Sequence, residues 1–540
     1  MPPYEILPSL TDICTEQVLI MLYNSISVSA TPKKRKQQHD YVSSTLNSNI
    51  RQHLINIIFQ QPLHKKTFTG KCILLEMLGD CSTQTIDFSQ VGSVYIDEVW
   101  HFYRTLTIGL MTNLTKLGLA CNLRKLSDKK YLLDVNTSIY RVFSQMKNLR
   151  WVTLIGVGDG TLLESLGTNC IHLEYLNVNE SFRVNDEAIA SLLLKDPELA
   201  QGQSEDTLCL QDIQTNPCAL NLKMVGVSAT SVSLTGVFVL LHYVPKLESL
   251  GGPIQAGSVS SILEHLNPED GSKVLKLNEV WETRILPYQA SLLSMMSPNL
   301  TCLTCDASSL DSLYIINSIS ALTLKLYFRN CVIDIYNYLL GSGQILKKLI
   351  FVDHINCGLD LSWLVELTPN LEHLEATLTR EDEAEVAKWH FLRVAKVTVQ
   401  SSKVTLALLT HAPALTDLDI TFVMEPYKET FECINDDLII SALVDGGLTQ
   451  LQKLHINECA LSMKGVVSLI LHCPNLTYLA PLAFWHGVSP QSIYVLCKRI
   501  KERNWKLRIV KHVDWEDEHE SNEHYDILHQ MAACTCSGGS

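Results

Sequence analysis

Leu415-Thr-Asp-Leu418-Asp-Ile420 sets the architecture of this chain, because its spacing, Leu-x-x-Leu-x-Leu, returns along most of the sequence. It recurs at Leu114-Leu117-Leu119, Leu149-Val152-Leu154, Leu173-Leu176-Val178, Leu300-Leu303-Cys305, Leu346-Leu349-Phe351, Leu371-Leu374-Ala376, Leu392-Ala395-Val397, Leu451-Leu454-Ile456 and Leu476-Leu479-Pro481. Weaker copies stand at Ser272-Leu275-Leu277 and Ala321-Leu324-Leu326. First positions 321, 346 and 371 are 25 residues apart, 392 and 415 follow after 21 and 23, and 451 to 476 is again 25. A short strand signature at a period of 20 to 29 residues is that of a leucine-rich repeat.

Between the strands, Asp186-Glu-Ala-Ile-Ala-Ser-Leu-Leu-Leu194 and Met463-Lys-Gly-Val-Val-Ser-Leu-Ile-Leu-His472 space their apolar residues as helices do. Proline then closes several units, in Ser297-Pro298-Asn299-Leu300, Thr368-Pro369-Asn370-Leu371, Ala412-Pro413-Ala414-Leu415 and Cys473-Pro474-Asn475-Leu476. Proline cannot continue a helix, so each unit reads as strand, helix, stop. The fold class is therefore α/β, a leucine-rich-repeat solenoid in which each unit covers its neighbour's apolar face. We place a helical region over 1–68, the solenoid over 69–490, a C-terminal cap over 491–513 and an acidic, polar tail over 514–540. Segments 195–218 and 423–437 are polar and turn-rich and read as loops leaving the solenoid.

Composition sets outer bounds. The chain has 540 residues, is 46% hydrophobic and carries 43 basic against 57 acidic side chains, a formal charge of −14. That balance argues against a general nucleic-acid or anionic-membrane surface. No apolar run approaches the ~18 residues needed to cross a bilayer, and Met1-Pro-Pro-Tyr-Glu5 is not a signal peptide. Seventeen cysteines scattered through apolar segments form no paired framework, which suits reduced thiols in the cytosol or nucleus. Of the Asn-x-Ser/Thr sites at Asn113, Asn136, Asn179, Asn299 and Asn475, three open a repeat strand, where a glycan is hard to fit.

The first residues carry a second signal. In Ser9-Leu-Thr-Asp-Ile-Cys-Thr-Glu-Gln-Val18, Leu10, Cys14 and Val18 recur every four residues with Ile13 beside them, an apolar stripe on a helix that has to dock onto something. Ser-Leu-x-x-x-Cys-x-x-x-Val resembles the elongin BC box, with which substrate receptors of cullin-2-type ubiquitin ligases bind elongin C. The resemblance implies that Leu10 fills a pocket on elongin C and that Cys14 packs mid-contact, with Ile13 and Val18 flanking. A second amphipathic helix is expected over Leu46-Asn-Ser-Asn-Ile50-Arg-Gln-His-Leu54-Ile-Asn-Ile57. Leu46, Ile50 and Leu54 stand where that class has its cullin box, although Asn47 occupies the position of the family's proline. Box, second helix and repeats together resemble the ZYG-11 family. The resemblance implies a non-catalytic receptor, partnered by elongin B, elongin C and cullin-2 with its RING subunit. That family's N-terminal-glycine recognition belongs to an armadillo-like region; here strands continue to about 480, so that specificity is not carried over.

If the strand register holds, alternate positions point off the core onto the concave face. Candidates for holding a protein substrate are Tyr175, Asn177, His373, Glu375, Asp417, Asp419, Lys453 and His455, a mixture suited to recognition by several side chains at once. Pro32-Lys33-Lys34-Arg35-Lys36, expected as an exposed linker between the N-terminal helices, matches a simple nuclear-import cluster.

No enzymatic pattern emerges, and neither a cofactor nor a metal is expected. Gly156-Val-Gly-Asp-Gly160 has Thr161 where a dinucleotide loop needs glycine, and reads as a repeat loop. Cys302 and Cys305 are a lone pair with Cys305 on a core position, and His519, His524 and His529 show no ligand spacing. Two other readings compete with the cullin-2 receptor. One is an F-box-like cullin-1 receptor, though the Leu-Pro-x-Glu opening is missing from residues 5 to 60. The other is a repeat scaffold whose first helices merely cap the array.

Overall fold

In the ten clear copies of the repeat signature every apolar position points inward, while pairing moves the weaker copy expected at Ala321-Leu324-Leu326 two residues back, to buried Ile319, Leu322 and Leu324. In the computed structural model, Leu114, Leu149, Leu173 and Leu222 stack in one interior column, Leu117, Val152, Leu176 and Val225 in a second, and Leu119, Leu154, Val178 and Val227 in a third, all essentially without solvent contact. Such residues contribute about 1.5–3 kcal/mol each by leaving water. The described residues are 2–3, 10–28, 32–60, 68–89, 102, 105–106, 111–120, 143–197, 213–253, 259–266, 274–306, 310–325, 331–352, 358–379, 388–399, 401–422, 434–444, 447–457 and 459–510. They fall into two compact units, one of Pro8–Glu282 with Met295–Leu300 and one of Met1–Leu7, Thr283–Ser294 and Thr301 onward.

The first unit begins with helices α1 (Leu10–Val28), α2 (Pro32–Thr45), α3 (Ser48–Gln60) and α4 (Phe68–Leu78). α4 is the hub: eight of its residues, Leu74, Leu75, Met77 and Leu78 among them, are buried. Leu54, Ile55 and Ile58 of α3 pack inside, and Arg51 of α3 donates to Asp80 at 2.6 Å. Burial alone would raise the Asp80 carboxyl, but Ser82 and Arg51 hold it below the ordinary carboxylate range. Next comes a parallel sheet, β1 (Thr85–Asp87), β2 (Lys116–Ala120), β3 (Trp151–Ile155), β4 (Tyr175–Asn177) and β5 (Met224–Gly226), in sequence order. Helices α5 (Gly160–Asn169), α6 (Asp186–Leu193), α7 (Leu234–Tyr243) and α8 (Val259–Leu266) lie between or after the strands, with β6 (Glu279–Trp281) beyond.

The second unit repeats the plan. Its strands β7 (Cys302–Asp306), β8 (Ala321–Lys325), β9 (Lys348–Val352), β11 (His373–Thr379), β12 (Val394–Val399), β13 (Asp417–Phe422), β14 (Lys453–Ile456), β16 (Tyr478–Ala480) and β18 (Arg508–Ile509) form one parallel sheet. β10 (Leu359–Asp360) pairs with β11, and β15 (Cys459–Ser462) pairs with β17 (Trp485–Gly487). Helices α9 (Leu310–Leu313), α10 (Cys331–Ser342), α11 (Leu361–Leu367), α12 (Ser402–His411), α13 (Asp436–Val444), α14 (Met463–His472) and α15 (Pro490–Glu502) alternate with them. Helices end at Leu367, His411 and His472, each two residues before its proline, as the punctuation predicts. Alternating parallel strands and helices at the repeat period make the fold an α/β leucine-rich-repeat solenoid.

A side-chain lock recurs between neighbouring helices. Asn185 caps α6, and Asp186 beside it accepts the backbone N–H of Ser233 at 2.7 Å and its hydroxyl, while Ser233 itself caps α7. Asn435 likewise accepts from Leu438 N–H, and Asp436 accepts from Ser462 N–H at 2.8 Å, from the Ser462 hydroxyl and from Gly465 N–H, with Ser462 capping α14. Glycine is required three residues after each serine, because a Cβ on Gly236 or Gly465 would lie 2.4 or 2.5 Å from the aspartate oxygen.

Candidate protein-interaction surfaces

α1 is held by one face. Leu19 is 1% exposed, and Tyr23, one turn on, lies against Gly70 of α4, where a Cβ would come within 3.1 Å of the ring. At 100° per residue the opposite side carries Ile13, Gln17 and Met21. Ile13 is 47% and Met21 68% exposed, Cys14 is exposed and Val18 half-buried on the flank. Of the expected stripe, Ile13 and Cys14 are therefore left outside the core, with Val18 at its margin. Leu10 opens the helix, and its side chain lies outside the described residues.

The second expected helix differs in its start. α3 begins at Ser48, and Asn47 is its cap, its Oδ1 accepting the Asn49 N–H at 2.8 Å. Asn47 ends one helix and starts the next, leaving half-buried Leu46 ahead of α3. Ile50 is 50% exposed, whereas Leu54 is 1% exposed and belongs to the core, so only Leu46 and Ile50 of the proposed cullin contacts reach the surface. Lys33, Lys34, Arg35 and Lys36 are not in an extended linker. Pro32, pre-set for a first helical position, starts α2, and the cluster forms its opening turns with Arg35 3.9 Å from Glu76. An import receptor that reads extended chain would have to unwind this helix.

The concave positions point as the register predicts. Burial alternates along β4, β13 and β14 and along the start of β11 and β12, with the candidates on the outward side; further along β11 the outward Thr377 is covered. In the second unit, strand pairing lines up His373, Val394, Asp417 and Lys453 in one row and Glu375, Lys396, Asp419 and His455 in the next. These charges pair among themselves. His373 Nε2 lies 2.8 Å and Lys396 Nζ 3.3 Å from Glu375 Oε1, Lys453 Nζ 2.9 Å from Asp417, and His455 Nδ1 2.8 Å from Asp419. The His373 hydrogen bond, helped by Lys396 against the effect of burial, brings the Glu375 carboxyl down to about 2.

In the first unit, pairing sets Thr85, Lys116, Trp151, Tyr175 and Met224 side by side, with Asp87, Gly118, Thr153, Asn177 and Gly226 in the next row. Trp151 and Tyr175 stack at 4.2 Å. Lys116 Nζ stands 5.4 Å from the outer face of Trp151 and Lys223 Nζ 5.9 Å from Tyr175. The sequence reading named Tyr175 but passed over Trp151, which occupies the same place in the preceding repeat and is 39% exposed. The register would have found it.

No family model matches the chain, and no curated protein matches it. Solved structures with similar architecture include the Rad7 and Elc1 complex of yeast, at 14% identity over 91% of this chain and 91% of that one, with a TM-score of 0.33. An internalin from Listeria monocytogenes is 14% identical over 69% of this chain and 83% of its own, with a TM-score of 0.31. A leucine-rich-repeat protein of Leptospira interrogans gives 14%, 84% and 93%, with a TM-score of 0.29. At this distance no function passes from them to the present chain.

The remaining motifs take structural places. Asp159 caps α5 by accepting from Leu162 N–H, so a carboxylate already occupies the helix start that follows Gly156-Val-Gly. Cys302 and Cys305 are three apart on β7, which puts them on opposite faces, and Cys305 is buried. Asn113 and Asn475 spend their side-chain amides on the carbonyls of Cys81 and Thr449. Asn136, His519, His524, His529 and the bulk of segments 195–218 and 423–437 lie outside the described residues, as does the tail from 511. Among the described residues no helix is long and apolar enough to cross a membrane, and no cluster is able to hold a metal ion.

Proposed function

We propose that this protein is the substrate-recognition subunit of a cullin-RING ubiquitin ligase, binding elongin C through α1 and a protein substrate through the repeats. The observation that carries the reading is α1 itself. A helix that merely capped the array would turn its apolar residues inward; this one anchors through Leu19 and Tyr23 and leaves Ile13, Cys14 and Met21 in solvent. Exposed apolar side chains in a row mark a partner site. The position of Ile13 and Cys14 within Ser9-Leu-x-x-x-Cys-x-x-x-Val18 supports elongin C as that partner. Leu46 and Ile50, on the surface around the start of α3, are the residues we assign to the cullin, with cullin-2 and its RING subunit as the expected pair.

Such a subunit contributes proximity and performs no chemistry of its own. Co-purification with elongin B and elongin C, beside a Leu10→Ser, Cys14→Ser double variant, tests it. A stable complex that the folded variant loses supports the receptor. A folded wild type that captures no elongin leaves a repeat scaffold in its place.

A further inference from the structure

The first unit carries a row of side chains whose partner can be described by charge. We propose that the concave face over β2 to β5 binds an acidic, extended segment of another protein, with Lys116, Trp151, Tyr175 and Lys223 as its central contacts and Arg150 at its edge. This deepens the substrate half of the reading above and is independent of the elongin half.

Stacking decides what the aromatic pair is able to offer. Trp151 and Tyr175 cover each other at 4.2 Å, and Lys116 and Lys223 stand over their outer faces. The electron-rich ring faces are thus already used, and the ring edges, which carry the positive end of the aromatic quadrupole, are what remain for a partner. Two ammonium groups flank those edges. Each of the two is also held by a carboxylate at 2.7 Å, Lys116 by Asp87 and Lys223 by Glu174, so the surplus of positive charge comes from Arg150 and Lys246 beside the row, which crosses strands spaced about 4.8 Å apart, a span of about four residues of extended chain.

The surroundings extend this character. Lys223 lies 2.7 Å and Arg150 3.7 Å from the same carboxylate, Glu174, and Lys246 adds its field to that site. Lys223, Lys246 and Arg150 thus share Glu174, Lys223 also feels Glu248, and Asp87 takes Lys116 at 2.7 Å. Arg150 also borders a groove of about 520 Å³ that runs to the start of α3. Asn113, Asn148, Gln84, Ser48 and His172 contribute to its wall, and no carboxylate lines it. In a chain with a net charge of −14, a face where cations outnumber carboxylates and open into an acid-free groove is selective for acidic chain over basic.

The test is selection of a random peptide library of about eight residues on the immobilised full chain, followed by binding of the selected peptides in solution. The expected result is enrichment in Asp and Glu, with affinity falling at least about tenfold in a Lys116→Glu, Lys223→Glu variant and falling again as salt is raised. A separate Arg150→Glu variant, at an exposed position, gives the same direction should the double variant fold poorly. Selection of basic or uncharged peptides, of acidic peptides indifferent to these changes, or of none at all overturns the proposal. Elongin capture by the same variants stays at the wild-type level, which separates failure here from failure of the adaptor reading.

Discussion

Ile50 and Leu54 are one helical turn apart and have opposite fates. Leu54→Ala removes a buried side chain from the α3–α4 packing and is expected to cost about 2–5 kcal/mol, whereas Ile50→Ala, at a half-exposed site, stays within about 0.5 kcal/mol. Urea unfolding of the two variants checks the contrast. Glu375 makes a pH prediction. Its carboxyl, near 4.5 when unfolded, is held at about 2 in the fold, so the stabilisation is complete above pH 4.5 and is lost as pH falls toward 2. Measured in steps through that window, the urea midpoint of the wild type should decline more steeply than that of Glu375→Gln. At this scale the sequence told which residues alternate in and out of a strand, since period two is unambiguous once the first leucine is placed. It did not separate Ile50 from Leu54, because both sit on an apolar helical period and only α4 decides which of them is covered.

The helices show how a local pattern is overruled and how another is missed. Pro32-Lys33-Lys34-Arg35-Lys36 reads as linker from charge alone, yet proline at a first helical position and the reach of Arg35 toward Glu76 favour helix. Leu46 to Ile57 reads as one helix from its period, but Asn47 competes for the backbone N–H groups and restarts it. Conversely, Asn185-Asp186 with Ser233 to Gly236, and Asn435-Asp436 with Ser462 to Gly465, are the same lock written twice. The leucine spacing drew attention from it because its partners lie 47 and 26 residues apart in sequence. Asp436→Ala strips acceptors from the N–H groups of Ser462 and Gly465 and is expected to cost about 1–3 kcal/mol. Thermal unfolding reads the loss, and amide exchange at the start of α14 should quicken before the rest of that unit.

For the molecule as a whole, thiol chemistry gives an accessible map. Among the described cysteines, Cys14 and Cys81 are exposed, while burial pushes the thiols of Cys170, Cys218 and Cys473 up to about 12. A maleimide pulse read by peptide mass mapping should mark Cys14 and Cys81 and spare those three. Added elongin B and elongin C should then shield Cys14 and leave Cys81 reactive. The repeat architecture was legible because one spacing recurs at a nearly constant period. The division into two units was not, since a repeat signature describes each repeat and its neighbour and carries no mark of larger grouping.

The ion pairs that cross β11 to β14 bear on what that surface turns away. A face whose acids and bases have already found one another offers little to a passing charged molecule, which would have to separate His373 from Glu375 or Lys453 from Asp417 before gaining a contact. Chance encounters on it should be brief, and only a guest that supplies substitutes for several of those pairs together has reason to stay.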